Sequence, residues 1–294
     1  MYLDHFKLDK LPFSLAPDTN FYCDLPTHTR ILNRLIASLQ QGQEVIKIIG
    51  KKGVGKTLLC QLLINELNNS FIIMLLPMLV ENELQLYEAL AHQLDINIDS
   101  DFSGSLDNAI TQRLFELNKS DKHPVLIIDD THNFSDDCLE AISRLTNLKI
   151  VMFGQPRLNK KLKKSALRQL KQRIKLSCYL KTLNKKEMSN YLYQRLIQAG
   201  SNYESIFLPP VKKHLIRASG GIPRLLNVLG HKALLISYSR GINQVDTLAM
   251  KRAINDTESV LPTRHLNSAN VILALTTTVC LTIILFVYRK AGLL

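Results

Sequence analysis

The chain has 294 residues, more than one compact core ordinarily needs, and its 46% hydrophobic share allows a sizeable interior. Cys23, Cys60, Cys138, Cys178 and Cys280 stand apart with no Cys-x-x-Cys pairing, which argues against a zinc site and a disulfide framework. The net charge of +12 asks for an anionic partner, and the imbalance is local: from Val151 to Lys186 there is no Asp or Glu.

Taken in chain order, residues 1–43 form a lead-in segment. Its charges interrupt the apolar residues too often for a secretory signal. Pro12 and Pro17 hold Pro12–Asp18 in turn and extended chain, and a helix over Thr27–Gln40 follows from the spacing of Ile31, Leu32, Leu35, Ile36 and Leu39. Val45–Ile49 reads as a strand running into a glycine-rich loop and then a helix. Phe71–Leu76, Val125–Ile128 and Leu148–Phe153 read as further strands, with helices over Glu81–Leu94, Ser105–Leu117 and Asp136–Leu145 between them. Strands alternating with helices predict a mostly parallel sheet covered on both faces. After Cys178 the pattern is helical only. Asn184 and Glu187 have capping-box spacing for a helix over Lys185–Gln198, and Pro210–Ala218, Arg224–Ser239 and Val245–Asp256 follow. Expected boundaries are therefore an α/β nucleotide-binding domain over 44–180, a helical lid over 181–258 and a linker over 259–270. Val271–Tyr288, which carries no charge, is the expected transmembrane helix.

The chemistry concentrates in two places. Gly50-Lys51-Lys52-Gly53-Val54-Gly55-Lys56-Thr57 fits G-x-x-x-x-G-K-[ST] between a strand and a helix. Gly53 and Gly55 let the backbone curl its N–H groups around phosphates, and the helix start through Leu58 adds partial positive charge. Lys56 is placed to reach the outer phosphates and Thr57 to ligate Mg²⁺. The second place is Val125–Asp130, a buried strand ending in acid. There Asp129 is expected to hold Mg²⁺ and Asp130 to orient the attacking water. ATP with Mg²⁺ is the expected ligand.

These motifs, together with MYLDHFKLDKLPFSLAPD, GKKGVGKTLL, VLIIDDTHNFS, FGQPRL, LRQLKQRI and GGIPRLLN, resemble an AAA+ ATPase of the ExeA type, and most of all the short pilus-biogenesis form. The resemblance covers roughly residues 1–258. It implies an AAA+ P-loop fold of α/β class with a small helical lid and one C-terminal membrane helix. Gln155 is then the γ-phosphate sensor, Arg224 the lid arginine, and Arg168 or Arg173 the finger reaching a neighbouring subunit's nucleotide. It further implies a homo-oligomer, partners among pilus or secretion assembly proteins, and an inner-membrane anchor with the ATPase part cytoplasmic. Arg289 and Lys290 then lie outside, against the positive-inside bias.

The family pattern ends its second motif in Asp-Glu, whereas this chain has Asp129-Asp130. The missing methylene predicts slow hydrolysis, since misplacing a reacting group by about 1 Å costs on the order of 10²-fold. A nucleotide-gated scaffold with little hydrolysis is the first alternative. The basic stretch 157–186 allows a subunit interface, contact with anionic lipid, or a DNA-remodelling role of the transposition type. Few aromatics accompany these cations, so nucleic acid is the less favoured partner.

Overall fold

Five parallel strands form one sheet in the order β2-β3-β4-β1-β5 in the computed structural model. The described residues are 2–260 without 15–20, 22, 43, 68–69, 77–79, 98–104, 202–205 and 259. The strands are β1 (Val45–Gly50), β2 (Phe71–Leu75), β3 (His123–Ile128), β4 (Lys149–Gly154) and β5 (Ile174–Leu180). Most read as apolar runs because both sheet faces are covered. On one face Leu126, Ile128, Ile150 and Met152 meet Leu86, Leu90, Ile110, Leu114, Leu139 and Ile142. On the other, Ile46, Ile48, Ile127, Val151 and Phe153 meet Leu35, Leu39, Leu59 and Leu63.

The covering helices are α2 (Pro26–Gln40), α3 (Lys56–Glu66), α4 (Glu83–Gln93), α5 (Leu106–Lys119) and α6 (Asp136–Arg144). Local chemistry sets their starts. Pro26 occupies the first turn of α2, while Asn82 and Ser135 accept the backbone N–H of Gln85 and Cys138 to cap α4 and α6.

The sequence pattern gave no strand near Cys178, yet β5 runs through it. Leu176, Cys178 and Leu180 face the core while Lys175, Ser177 and Tyr179 face out. That is the period-two alternation of an edge strand covered on one side only, set in a stretch so cationic that it reads as surface. Two short helices, α7 (Arg157–Lys161) and α8 (Arg168–Arg173), occupy the connection before it.

Helices α9 (Lys185–Gln198), α10 (Pro209–Ser219), α11 (Pro223–Ser239) and α12 (Thr247–Asn255) follow the sheet. The capping box at Asn184 and Glu187 forms as its spacing requires. Gly220 ends α10 at φ +57, and Pro223 opens α11.

The first residues of the chain, which include the single-turn helix α1 (Leu3–Phe6), pack on these late helices and not on the sheet. Tyr2 is fully buried, with its hydroxyl 3.0 Å from Nδ1 of His231. Phe13 lies edge-on to Phe207 and fills the space left by Gly230, where an added Cβ would sit 2.7 Å from its ring. Arg195 donates to the carbonyls of Pro12 at 2.7 Å and Phe21 at 3.2 Å, and Asn227 donates to that of Ser14 at 3.2 Å. The segment is thus a strap whose polar backbone groups are met by the helices beneath it.

Met1–Thr257 make one compact unit. Among the described residues no helix is long and apolar enough to cross a membrane. The expected linker 259–270 lies almost wholly, and the expected span Val271–Tyr288 entirely, outside the described residues.

Candidate functional site: a phosphate loop facing a helical wall

At the carboxyl end of β1 the chain turns through Gly50–Gly55 into α3. Gly53 has φ +82 and Gly55 φ +101, values that L side chains rarely adopt. Space is short as well as strained. A Cβ on Gly53 would lie 2.9 Å from Cβ of Arg224, and one on Gly55 would lie 2.9 Å from Nε2 of His28. The loop is therefore clasped from outside. The Arg224 backbone N–H donates to the Gly53 carbonyl at 3.2 Å, joining the first turn of α11 to the loop.

Lys56 is buried, with Nζ 3.2 Å from the Lys51 carbonyl. Burial lowers its pKa, opposed by the charges of Asp130 and Asp129. A desolvated ammonium beside two carboxylates is stabilised by any further anion brought to it, as a phosphate would be.

The Thr57 hydroxyl donates to Oδ2 of Asp129 at 2.6 Å, bridging α3 and the end of β3. The two motifs thus meet in one cluster of hard oxygen donors. Among the described residues no group of three or more His, Cys, Asp or Glu could hold a metal by itself. A hydroxyl and one carboxylate fit Mg²⁺ in the manner where phosphates and water complete the octahedron.

Asp130 adopts a left-handed backbone, φ 46 and ψ 37. Asp and Asn tolerate this region better than other side chains. Its N–H donates to Oδ1 of Asp129 at 2.8 Å, so the turn is fixed by the preceding carboxylate. His132, a residue that sequence reasoning passed over, sits behind it. Nδ1 of His132 lies 3.7 Å from Oδ1 of Asp130 and accepts the Gln155 backbone N–H at 3.4 Å. Since that N–H can only donate, the ring proton of the neutral imidazole lies on Nε2, which is buried without a partner. Burial, then the charge of Arg157, pushes the His132 pKa down against the pull of Asp130. A neutral, buried histidine therefore accepts from the backbone of the candidate sensor beside the candidate water-orienting residue.

The pocket is closed by parts far apart in sequence. Lys52–Leu58, Asp130 and Gln155 line its sheet side, and Tyr191, Arg195, Pro223, Arg224 and Asn227 its helical side. Ser14, Phe21, Cys23, Leu25 and His28 come from the strap and the start of α2. Of the site residues expected from sequence, Lys52, Gly53, Val54, Gly55, Lys56, Thr57, Leu58, Asp130, Gln155 and Arg224 line this one pocket. Gly50 lies beneath the loop, Lys51 turns its carbonyl to Lys56, and Asp129 sits on Thr57.

The two arginines offered as fingers differ. Arg173 is committed within its own chain: it donates to the carbonyls of Ser143 at 2.9 Å, Leu145 at 2.8 Å and Leu148 at 3.4 Å, and pairs with Glu44 at 3.2 Å. A guanidinium so engaged ties the end of α8 to the end of α6, to the turn before β4 and to the residue before β1. Arg168 at the start of α8 is exposed.

Comparison with known proteins agrees with this geometry. Residues 39–162 match the sequence model of the AAA domain family. General secretion pathway protein A of Aeromonas hydrophila is 30% identical over 256 residues, which cover 83% of this chain and 46% of that protein. The chain thus spans about half the length of that curated relative. Among solved structures, Cdc6p of Pyrobaculum aerophilum superposes with a TM-score of 0.63 at 16% identity, covering 84% of this chain and 72% of that one. The ORC1 protein of Aeropyrum pernix in complex with DNA gives 0.59 at 17% identity, covering 85% and 70%. Identities this low speak to the fold alone. The phosphate loop on a five-stranded parallel sheet, the AAA domain match and the long alignment together make this chain a member of the AAA+ family, of the general secretion pathway protein A type.

Proposed function

We propose that this chain binds and slowly hydrolyses ATP with Mg²⁺, and that it serves as a membrane-anchored AAA+ component in assembling an MSHA-like type IV pilus or a type II secretion machine. The observation that carries the chemistry is the 2.6 Å bond from Asp129 to Thr57, a residue lining the pocket that Arg224 also lines. Mg²⁺ held by Thr57 and Asp129 would supply charge neutralisation between the outer phosphates. Lys56 binds the same phosphates from the loop, and Asp130 orients water on the far side. Gln155 is the residue that senses the γ-phosphate, and Arg224 brings the helical part down onto the nucleotide.

The role in assembly is supported by the alignment with general secretion pathway protein A. The anchor rests on the uncharged run Val271–Tyr288. Domains over 44–180 and 181–258 with a homo-oligomer completing the site are part of the same reading, Arg168 being the arginine available for the neighbour. A weakly hydrolysing, nucleotide-gated scaffold is the second reading. It is favoured by Asp130, whose short side chain stands on a turn suited to Asp.

The test is ATP turnover by the full chain over a range of protein concentrations, with Lys56→Ala as control. Turnover per subunit that climbs with concentration and vanishes in the control supports an assembling ATPase. Tight binding with negligible turnover throughout selects the scaffold, and no nucleotide binding by the folded chain overturns both.

A further inference from the structure

The two edges of the sheet are finished differently. At the β2 edge the Gln93 side chain stands where another strand would, donating to the Leu75 carbonyl at 2.8 Å and accepting the Leu75 N–H at 2.7 Å. At the β5 edge, over residues 175–180, the backbone bonds to β1, and among the described residues nothing pairs with its outer side. Such an edge presents a row of N–H and C=O groups ready for a further strand.

The side chains around this edge define which strand fits. Lys175, Ser177 and Tyr179 point away from the core, and Tyr179 is 56% exposed. The register sets Lys47 of β1 beside Ser177, so Lys47 shares that face. Lys47 is half-buried, and its Nζ donates to the neutral side chain of Asn159 at 2.9 Å. Burial, then the charge of Lys171, lowers the Lys47 pKa. Lys171 and Lys175 are exposed and make no ion pair among the described residues. On the opposite face stands Arg34 of α2, also exposed and without an ion pair among the described residues. It is near enough for its charge to oppose the rise that burial imposes on the Cys178 pKa. Cations therefore flank the edge on both faces, and residues 151–186 hold no carboxylate to answer them.

A second copy of this edge is a poor occupant, because Lys175 would meet its own kind, and like charges facing across strands are destabilising. Nucleic acid or a lipid surface answers the charge but has no backbone amides to match the edge. An acidic peptide does both. We propose that β5 takes an extended acidic segment of a partner protein as an added strand. Main-chain bonds hold the segment, carboxylates lie over Lys175, Lys171 and Lys47 on one face and reach Arg34 on the other, and an apolar residue rests on Tyr179. None of these side chains lines the nucleotide pocket, so the site stands whatever that pocket binds.

The test is binding of a fluorescent peptide as long as β5, built of Glu-Glu-Val repeats, to the full chain at low salt, with hydrogen exchange followed over residues 174–180. Wild type is expected to bind it, to exchange more slowly along β5 when bound, and to release it as salt rises. Lys175→Glu and, separately, Arg34→Glu should each weaken binding by about tenfold, with circular dichroism and Tm like those of wild type showing that the variants are folded. The same peptide N-methylated at every amide keeps its charge and loses its donors, and should bind at least about tenfold more weakly. Equal binding of the methylated and unmethylated peptides reduces the site to simple ion pairing and overturns the proposal. Folded wild type that binds neither peptide overturns it too. So does an oligothymidylate of equal charge that binds more tightly than the peptide while exchange along β5 stays unchanged with either, since the surface would then be one for nucleic acid.

Discussion

The two halves of the pocket are built in opposite ways. The sheet half is contiguous: Gly50–Leu58 and Asp129–His132 are short runs whose backbone turns at the ends of β1 and β3 fix the phosphate-facing atoms. The helical half is assembled from the strap, α9 and the start of α11, segments separated by most of the chain. Phosphate chemistry depends on backbone geometry and a few side chains close in sequence, whereas enclosing the rest of a ligand needs surfaces that only packing brings together. The halves touch at one seam, where Gly53 meets Arg224 and Gly55 meets His28.

The largest effect is expected from breaking that seam. Gly53→Val places a branched side chain at φ +82 against Cβ of Arg224 and Cγ2 of Ile222, 2.9 and 3.0 Å from an added Cβ. Backbone strain and overpacking together cost roughly 2–5 kcal/mol. The chain should lose nucleotide affinity and melt several degrees lower, and a variant that binds ATP as well as wild type would show that the seam is not needed.

Disturbing the helical half alone should separate the two. Gly230→Ala pushes on the Phe13 ring at 2.7–3.0 Å, displacing the strap. The helix-propensity gain of about 1 kcal/mol offsets part of an overpacking cost of about 1–3 kcal/mol. ATP affinity is expected to fall several-fold while inorganic triphosphate binding holds, measurable in one titration series.

On the sheet half, Asp130→Glu restores the missing methylene. Turnover should rise with little change in ATP affinity, and the left-handed turn at Asp130 should cost up to about 1 kcal/mol in thermal stability, since Glu tolerates it less well. Unchanged turnover would mean that reach is not what limits hydrolysis.

The smallest effect is pH dependence. Burial holds His28 and His132 below the ordinary value of 6.5. Unfolded, both protonate near that value, so at lower pH the unfolded chain binds more protons and stability declines as pH falls through about 6.5. Tm should drop between about pH 7.5 and about pH 5.5. His28→Phe should flatten that slope by at most about 1.4 kcal/mol per pH unit, the limit for one proton.

The sequence alone carried the phosphate loop, the acidic strand end, the capping box at Asn184 and all but one strand, because each is a local pattern enforced by backbone geometry or by burial on both faces. It missed β5, whose exposed Lys175, Ser177 and Tyr179 mask an edge strand behind surface charge. It also missed His132, although its place three residues beyond Asp129 was a signal. It could not separate Arg168 from Arg173, since the carbonyls that bind Arg173 lie about 25–30 positions earlier. Tertiary structure alone decided that residues 2–14 strap the late helices, that His28 clasps the phosphate loop, and that Arg195 reaches the pocket. These contacts join side chains to backbone atoms across long sequence separations, and no local periodicity encodes such a pairing.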